Sequence, residues 1–548
     1  MLMQETTTIT TKQLGHLGLI SSVIKKLNLV DKIDRRLPVS KEHGSIVSMG
    51  QRVSAMILNG LGFLNDRLYM HSVFFEDKAV EFLLGEGITA NHINDDALGR
   101  ALDAIHSYGT TKLFSEIAFE VAHENKLLGK TARLDTTSIS LYGEYDGCDR
   151  EEEAIDITYG FAKNKRYDLK QIILSLTNSG KSGHPLWMEV LSGNSSDKKN
   201  FQETVRKIDA FKKQLQDGQD FIYVADSALY TIKKLLAAKH LRWITRVPES
   251  IKAARELVEK DSEEFTWKSL GDKYNYCELK SEHGGVEQRW QVIYSTEAFK
   301  KEEKSLTKRI EKEKSKINKV LWHMSNKKYT AKEEIKVLIK PILKKLKYHT
   351  LGYVIQKGKK YKTKGRPKPD AQDGTVVYRL ECSLTENAHL IQKANNRLGR
   401  FILATNELDN VILPSSEILK EYKDLDKVEK GFRFVKSSEF ALSSVFLKTP
   451  SRIEALMMVM TLCLMVYNFG EKAFRRSLDA SNETIPNQLG KETKTPTMRW
   501  VFRILNKITV AYIRIDGIVK SVVANVCGVC NKIIKHFGGH AMHIYGVT

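Results

Sequence analysis

The chain has 548 residues, more than one compact core usually holds, and its 42% apolar content excludes wholesale disorder. Its 87 Lys and Arg residues against 66 Asp and Glu leave a net charge of +21, a field that attracts polyanions, nucleic acid first among them. Six scattered cysteines exclude a disulfide framework, and the start, MLMQETTTITTKQLG, has no apolar stretch of secretory type, so a cytoplasmic protein is expected.

Residues 12 to 128 read as helical. GHLGLISSVIKKLNL and QRVSAMILNGLGFL repeat apolar residues at three- and four-residue intervals, interrupted by Gly, Pro and Asn. Asn94 followed by Asp95 and Asp96 reads as an N-cap with an acidic first turn, which assigns those adjacent carboxylates to capping rather than catalysis. From Lys130 the texture changes. TARLDTTSISLYG, rich in β-branched residues, predicts a strand, and DLKQIILSLTNSG and HPLWMEVLSGN predict two more, each closed by turn residues. A helix is expected over 198–215, then an apolar strand in DFIYVADSALY, a helix in TIKKLLAAKH and a strand in LRWITRVP. Three strands, then helix, strand, helix, strand, predict a mixed sheet covered by helices. The acidic run 144–156 between the first two strands reads as a solvated loop.

Residues 250 to 395 interrupt that pattern. YNYCELKSE and RWQVIYST are strand-like, 297–348 is a long Lys/Glu-rich helical stretch, and the tract KGKKYKTKGRPKP follows. Seven of the twelve residues 357–368 are cations, and Lys364, Arg366 and Lys368 with Gly365 and Pro367 resemble the core of an AT-hook, a slim element for a narrow minor groove. RFILATNE resumes as a strand, and a helix is expected over 424–435. From Thr449 the chain reads as helical again. Its most apolar stretch, 455–469, is shorter than the roughly 18 residues that span a bilayer and predicts a buried core helix. Cys527 and Cys530 with His536 and His540 leave too short an interval for a usual zinc finger and sit in a helix-like apolar context. Trp187, Trp243 and Trp322 read as core, or as stacking surfaces for a flipped base.

Phosphoryl transfer between DNA strands is served by two divalent ions held by separated carboxylates, because hard cations such as Mg²⁺ take oxygen ligands. Asp135 lies inside the first predicted strand, where an aspartate is unfavourable, and Asp226 ends the apolar strand FIYVAD, at the carboxyl edge where ligand sites of such sheets cluster. If the two strands are neighbours, both carboxylates converge on one spot; a strand-end aspartate equally caps a turn. Glu429, Arg433 and Lys436 share one helix face opposite Val428, Phe432 and Val435. Such a face is either solvated, with an ordinary ion pair, or turned toward metal and phosphate.

The order of Asp135, Asp226 and Glu429 on strand, strand and helix resembles the DDE transposases, whose catalytic core is ribonuclease H-like. Tyr422-x2-Leu425-x3-Glu429-x6-Lys436 resembles the Y-(2)-R-(3)-E-(6)-K signature of their cut-and-paste insertion-sequence branch, with Leu425 at the Arg position. YGFAKNKRYDLKQ (159–171), GNSSD (193–197) and the long interval between Asp226 and Glu429, which looks like an inserted domain, resemble the same branch. The resemblance spans about residues 12–470. It implies that Asp135 bridges two Mg²⁺ or Mn²⁺ ions while Asp226 and Glu429 hold one each. It also implies DNA contacts at Tyr422 and Lys436, with Lys427 or Arg433 in place of the signature Arg. Lys165, Arg166 and Lys170, and Lys364, Arg366 and Lys368, are further expected DNA contacts.

The expected fold class is α/β, with a ribonuclease H-like mixed-sheet core. A helical DNA-end-binding domain is expected at 1–128, the core at 129–249 and 396–448, an inserted basic domain at 250–395 and a helical C-terminal region at 449–548. The expected activity is metal-dependent cleavage and strand transfer at insertion-sequence ends. Expected partners are double-stranded DNA, as terminal inverted repeats and target, and a second copy of the chain, since two ends are held before cutting. No membrane partner is expected. Two rival readings share the carboxylates: a metal-dependent nuclease without strand transfer, and a non-catalytic DNA-binding protein descended from a transposase.

Overall fold

The computed structural model describes residues 8–38, 46–62, 70–145, 155–161, 165–195, 197–214, 218, 220–360, 375–436, 447, 449–515 and 518–548. Strand β1 (Thr8–Gln13) leads into helices α1 (Leu17–Lys26), α2 (Leu29–Asp34), α3 (Met49–Gly60), α4 (His71–Glu76), α5 (Val80–Leu84), α6 (Asp95–Tyr108) and α7 (Thr110–Glu124). Their starts are written locally. Ser48 and Gln51 form a capping box on α3, and Asn94 opens α6 by accepting from the Ala97 N–H at 2.9 Å, with Asp95 and Asp96 in the first turn. The sequence reading of that acidic pair as a cap is what the geometry has.

Then come β2 (Thr131–Leu141), β3 (Lys170–Ser179), β4 (Pro185–Ser192), α8 (Asp197–Gln214), β5 (Ile222–Val224), α9 (Ile232–Ala237) and β6 (Arg242–Val247), in the predicted order. Next are α10 (Lys252–Val258), β7 (Lys268–Ser269), β8 (Tyr274–His283), β9 (Val286–Ser295), α11 (Thr296–Ser325) and α12 (Lys332–Lys345). They are followed by β10 (His349–Lys360), β11 (Thr375–Glu386), α13 (Ala388–Asn396) and β12 (Arg400–Thr405). The helix expected over 424–435 is in fact two, α14 (Ser415–Lys423) and α15 (Asp426–Val435), with a turn at Asp424 and Leu425. The C-terminal part contains α16 (Pro450–Ala480), the short β13 (Ile485–Pro486) and β14 (Glu492–Thr493), and α17 (Met498–Leu505). It ends with β15 (Thr509–Ile515), β16 (Ile518–Ala524), α18 (Gly528–Phe537) and α19 (Gly539–Tyr545). The strands among these helices were not expected. TVAYIRI and IVKSVVA around an Asp-Gly pair are nevertheless a hairpin signal in the sequence.

The chain divides into two compact units. The first comprises Met1–Leu229, His240–Trp243 and Lys420–Thr548. Its central post is α16, which packs on α1, α3, α6, α7, α18 and β4 and buries Met457, Met458, Leu462, Cys463 and Leu464. By length and composition α16 could cross a bilayer, but 72% of its apolar window lies inside the protein. A helix that is apolar all round is a core helix when other helices cover it. Beside it the strands run β4-β3-β2-β5, with β2–β3 and β3–β4 antiparallel and β2–β5 parallel, so the sheet is mixed. Every residue of β3 is buried, and on β2 only Asp135 and Ser140 are half-buried. Helix α15 packs on β2 and β3, and α7 and α16 pack on β4. A separate three-stranded sheet joins β1 to β15 and β16.

The second unit comprises Tyr230–Lys239 and Ile244–Leu419. There β12 lies antiparallel between β6 and β9, and β8 and β7 follow. The β10–β11 pair is a two-stranded sheet in register over its full length, and α11 and α12 pack on it through Leu321, Met324, Ile335, Ile339, Leu351 and Leu380.

Candidate active site

Strands β2 and β5 pair in parallel through Thr131–Ile222, Ala132–Tyr223 and Arg133–Val224. The ladder ends there; Asp135 lies two residues further along β2, and Asp226 two residues past the end of β5, so both carboxylates follow the same end of the paired segment. Asp135 is half-buried and its Oδ1 accepts the Thr136 N–H at 2.8 Å. Asp226 is exposed just past the end of β5.

Arg133 precedes Asp135 by two residues and therefore shares its face of β2. Its side chain is fully buried. Nη2 donates to Glu421 Oε2 at 2.7 Å and to Asp424 Oδ2 at 3.0 Å, Nε donates to the Glu421 carbonyl, and Nη1 to the Gly180 carbonyl. Glu421 also accepts from Thr131 Oγ1. Two of the carboxylates that crowd the sequence around Glu429 are thus tied to a buried guanidinium. Sequence reasoning passed over Arg133; the signal was a cation in the middle of a β-branched strand.

On α15, Val428 and Phe432 are buried while Glu429, Arg433 and Lys436 are exposed, the two faces that the sequence pattern predicts. The helix lies close on α16: a Cβ at Gly431 would come within 3.1 Å of Leu464. Tyr422 is half-buried in the last turn of α14, and the turn at Asp424 and Leu425 separates it from Glu429, so their seven-residue spacing is not two turns of one helix. The side chains of Asp426, Lys427 and Val435 lie outside those described.

The other expected contacts fall in three places. Arg166, before β3, makes a two-pronged pair with Asp168, donates to the Tyr142 hydroxyl at 3.2 Å and lies over that ring at 5.7 Å. The pair holds the Asp168 carboxyl below its ordinary value. Lys170 is buried with its ammonium 6.0 Å from the Tyr159 ring, and Lys165 is exposed with a left-handed backbone. Phe161, 78% exposed, stands next to Tyr167, so this end of the β2–β3 pair is an aromatic and cationic rim. Lys364, Arg366 and Lys368 lie outside the described residues, as does most of the acidic run 144–156. Lys357, Lys359 and Lys360 of the same basic tract are exposed on β10.

Trp187 and Trp243 are core residues, and Trp322 is exposed on α11. Cys527 caps α18 by accepting the Cys530 N–H, and His536 bonds Ser477 and Glu483. Among the described residues no three His, Cys, Asp or Glu side chains are grouped closely enough to hold one ion, Asp135, Asp226 and Glu429 included. An oxygen-only pair such as Asp135 and Asp226 nevertheless fits a hard divalent cation, which is commonly held by one or two carboxylates together with water and substrate phosphate.

No curated protein matches the chain. Residues 9–119 match a family described as a domain of unknown function, DUF4277. Residues 132–468 match the family described as the transposase DDE domain. That second match spans more than half of the sequence and takes in Asp135, Asp226 and Glu429, and it makes the chain a member of the DDE transposase family.

Proposed function

We propose that this transposase cuts DNA at the ends of an insertion sequence and joins the freed ends to target DNA, with Asp135, Asp226 and Glu429 as its catalytic carboxylates. The observation that supports this reading is the parallel β2–β5 pairing inside the family match, with Asp135 and Asp226 each two residues beyond its last pair. Asp135 and Asp226 would hold divalent metal, Mg²⁺ or Mn²⁺, with Glu429 contributed from α15. When bound, such ions activate the attacking hydroxyl and steady the leaving oxygen. Asp135, set in a strand flanked on both sides, keeps a fixed position while DNA approaches the exposed Asp226. Arg433 and Lys436, exposed beyond Glu429 on its helix face, hold the phosphates on either side of the reacting one. Tyr422 orients the transposon end, and the exposed rim of Lys165, Arg166 and Phe161 extends the contact along the duplex; the lysines of β10 give the second unit a surface of its own for DNA. The helices of residues 1–128 read the terminal inverted repeats, and two copies hold the two ends.

The test is an oligonucleotide carrying the gene's flanking inverted repeats, incubated with protein, Mg²⁺ and a target plasmid, with the products sequenced. Joined products support the transposase. Nicks at the ends without joining would reassign the protein to nuclease chemistry, and binding without either would leave a DNA-binding descendant.

A further inference from the structure

We infer that Arg133 is a positioning residue for this reaction: buried under the turn between α14 and α15, it fixes where α15, the helix that carries Glu429, starts against β2, the strand that carries Asp135. The inference rests on reading Asp135, Asp226 and Glu429 as the reacting centre.

All three guanidinium nitrogens donate, and their acceptors come from separate parts of the unit: Gly180 just past β3, Glu421 in the last turn of α14, and Asp424 in the turn. Arg133 therefore fastens the helix pair to β2 at one place. A planar fork satisfies two carboxylates and two carbonyls in one arrangement only, which a lysine cannot reproduce. Burying such a cluster adds little stability over apolar packing of equal volume, so what it contributes is geometry.

Asp424 lies in the turn just before α15, and α15 packs on β2, so the fastening at Arg133 fixes the start of the helix that carries Glu429 against the strand that carries Asp135.

The test uses the full-length protein and the DNA-end oligonucleotide. In the variant Arg133→Met/Glu421→Gln/Asp424→Asn the cluster is replaced by neutral groups, so that no buried charge is stranded. Its melting temperature and end binding should stay near wild type. The Mg²⁺ concentration for half-maximal cleavage should rise about tenfold or more, as when residues that orient metal ligands are lost. Amides of α15 should exchange with deuterium faster than in wild type, while those of β3 should not. Arg133→Lys should fall between the two proteins on both measures. Should the triple variant not fold, Glu421→Gln, at a half-buried position, is carried through the same titration and exchange. An unchanged Mg²⁺ curve and unchanged exchange, with Asp135 still essential, overturn the role of Arg133 alone. Asp135→Asn that cleaves like wild type overturns the reacting centre itself, and with it this role.

Discussion

The β2–β3 pair of the first unit and the β10–β11 pair of the second are both long antiparallel ladders, yet one is buried along almost its whole length and the other is mostly exposed. A strand covered on both faces cannot shift without opening a core, so β2 holds Asp135 at a fixed place in its unit. Its one internal cation, Arg133, is committed to named acceptors. A hairpin carrying Lys357, Lys359 and Lys360 on exposed positions is suited to the opposite task, following the backbone of a polyanion and exchanging counterions with it. The contrast teaches that charge of one sign does different work according to what surrounds it: buried, it places other groups; exposed, it reaches for a partner.

The largest effect should come from breaking the placed side. Asp135→Asn and Asp226→Asn keep side-chain shape and remove charge, and each should lower strand cleavage by several orders of magnitude while mobility-shift binding of DNA ends survives. Cleavage at the wild-type rate in Asp135→Asn would end the comparison at its root.

Nearly as large is the expected division within the carboxylates near α15. Joining of pre-cleaved ends should drop by several orders of magnitude in Glu429→Gln. Glu421→Gln and Asp424→Asn, acting through Arg133, should lose no more than about a hundredfold, equivalent to about 2.7 kcal/mol in the barrier. Asp426→Asn should stay within about tenfold. If Asp426→Asn is dead and Glu429→Gln active, the helix face has been misassigned.

The buried side should also be the acid-sensitive one. His184, bonded to the Ala118 carbonyl, and His16, bonded to the Leu61 carbonyl, both lie in the first unit, and burial lowers each imidazole from 6.5 to about 4. Both stay neutral in the folded protein while the unfolded chain takes up protons below pH 6.5. Their contribution is therefore full above that pH and lost as pH falls toward 4, by about 2 kcal/mol each at pH 5. Urea unfolding at pH 7 and pH 5 measures it, and a His16→Gln/His184→Gln protein should show a smaller loss between the two. An equal loss in that variant would assign the acid sensitivity to carboxylates instead.

The smallest effect belongs to the reaching side. Replacing Lys357, Lys359 and Lys360 by Gln should leave cleavage of bound ends unchanged and reduce the log–log salt slope of DNA binding by about 2.7, at about 0.9 per phosphate contact. An unaltered slope would mean that the hairpin touches something other than DNA.

What could be read from the sequence follows the same division. Asp135 stood out because an aspartate is unfavourable inside a β-branched strand and Asp226 because it ends an apolar one, and the faces of α15 were set by a local period that needs no partner. The β2–β5 register could not be read, because it pairs residues about ninety positions apart through backbone groups that every sequence shares. The turn at Asp424 and Leu425 carries no Gly or Pro, and the guanidinium it is bonded to, Arg133, lies 288 and 291 positions away from Glu421 and Asp424. Glu421 and Asp424 carry no local sign of their tie to Arg133 for the same reason.

The packing of α16 among α1, α3, α6 and α7 has a consequence in time. Arg452 pairs with Asp103 across 349 positions, and the Tyr545 hydroxyl donates to the Gly15 carbonyl across 530. At a ribosomal rate of about 5–20 residues per second, roughly half a minute to nearly two minutes separates the synthesis of Gly15 from that of Tyr545. For most of that interval α1, α3 and α6 lack the helix that packs on them in the finished protein. A nascent chain that stalls before α16 emerges is therefore a substrate for chaperones or for aggregation, and the speed of translation past residue 450 governs how much of this protein reaches its native state.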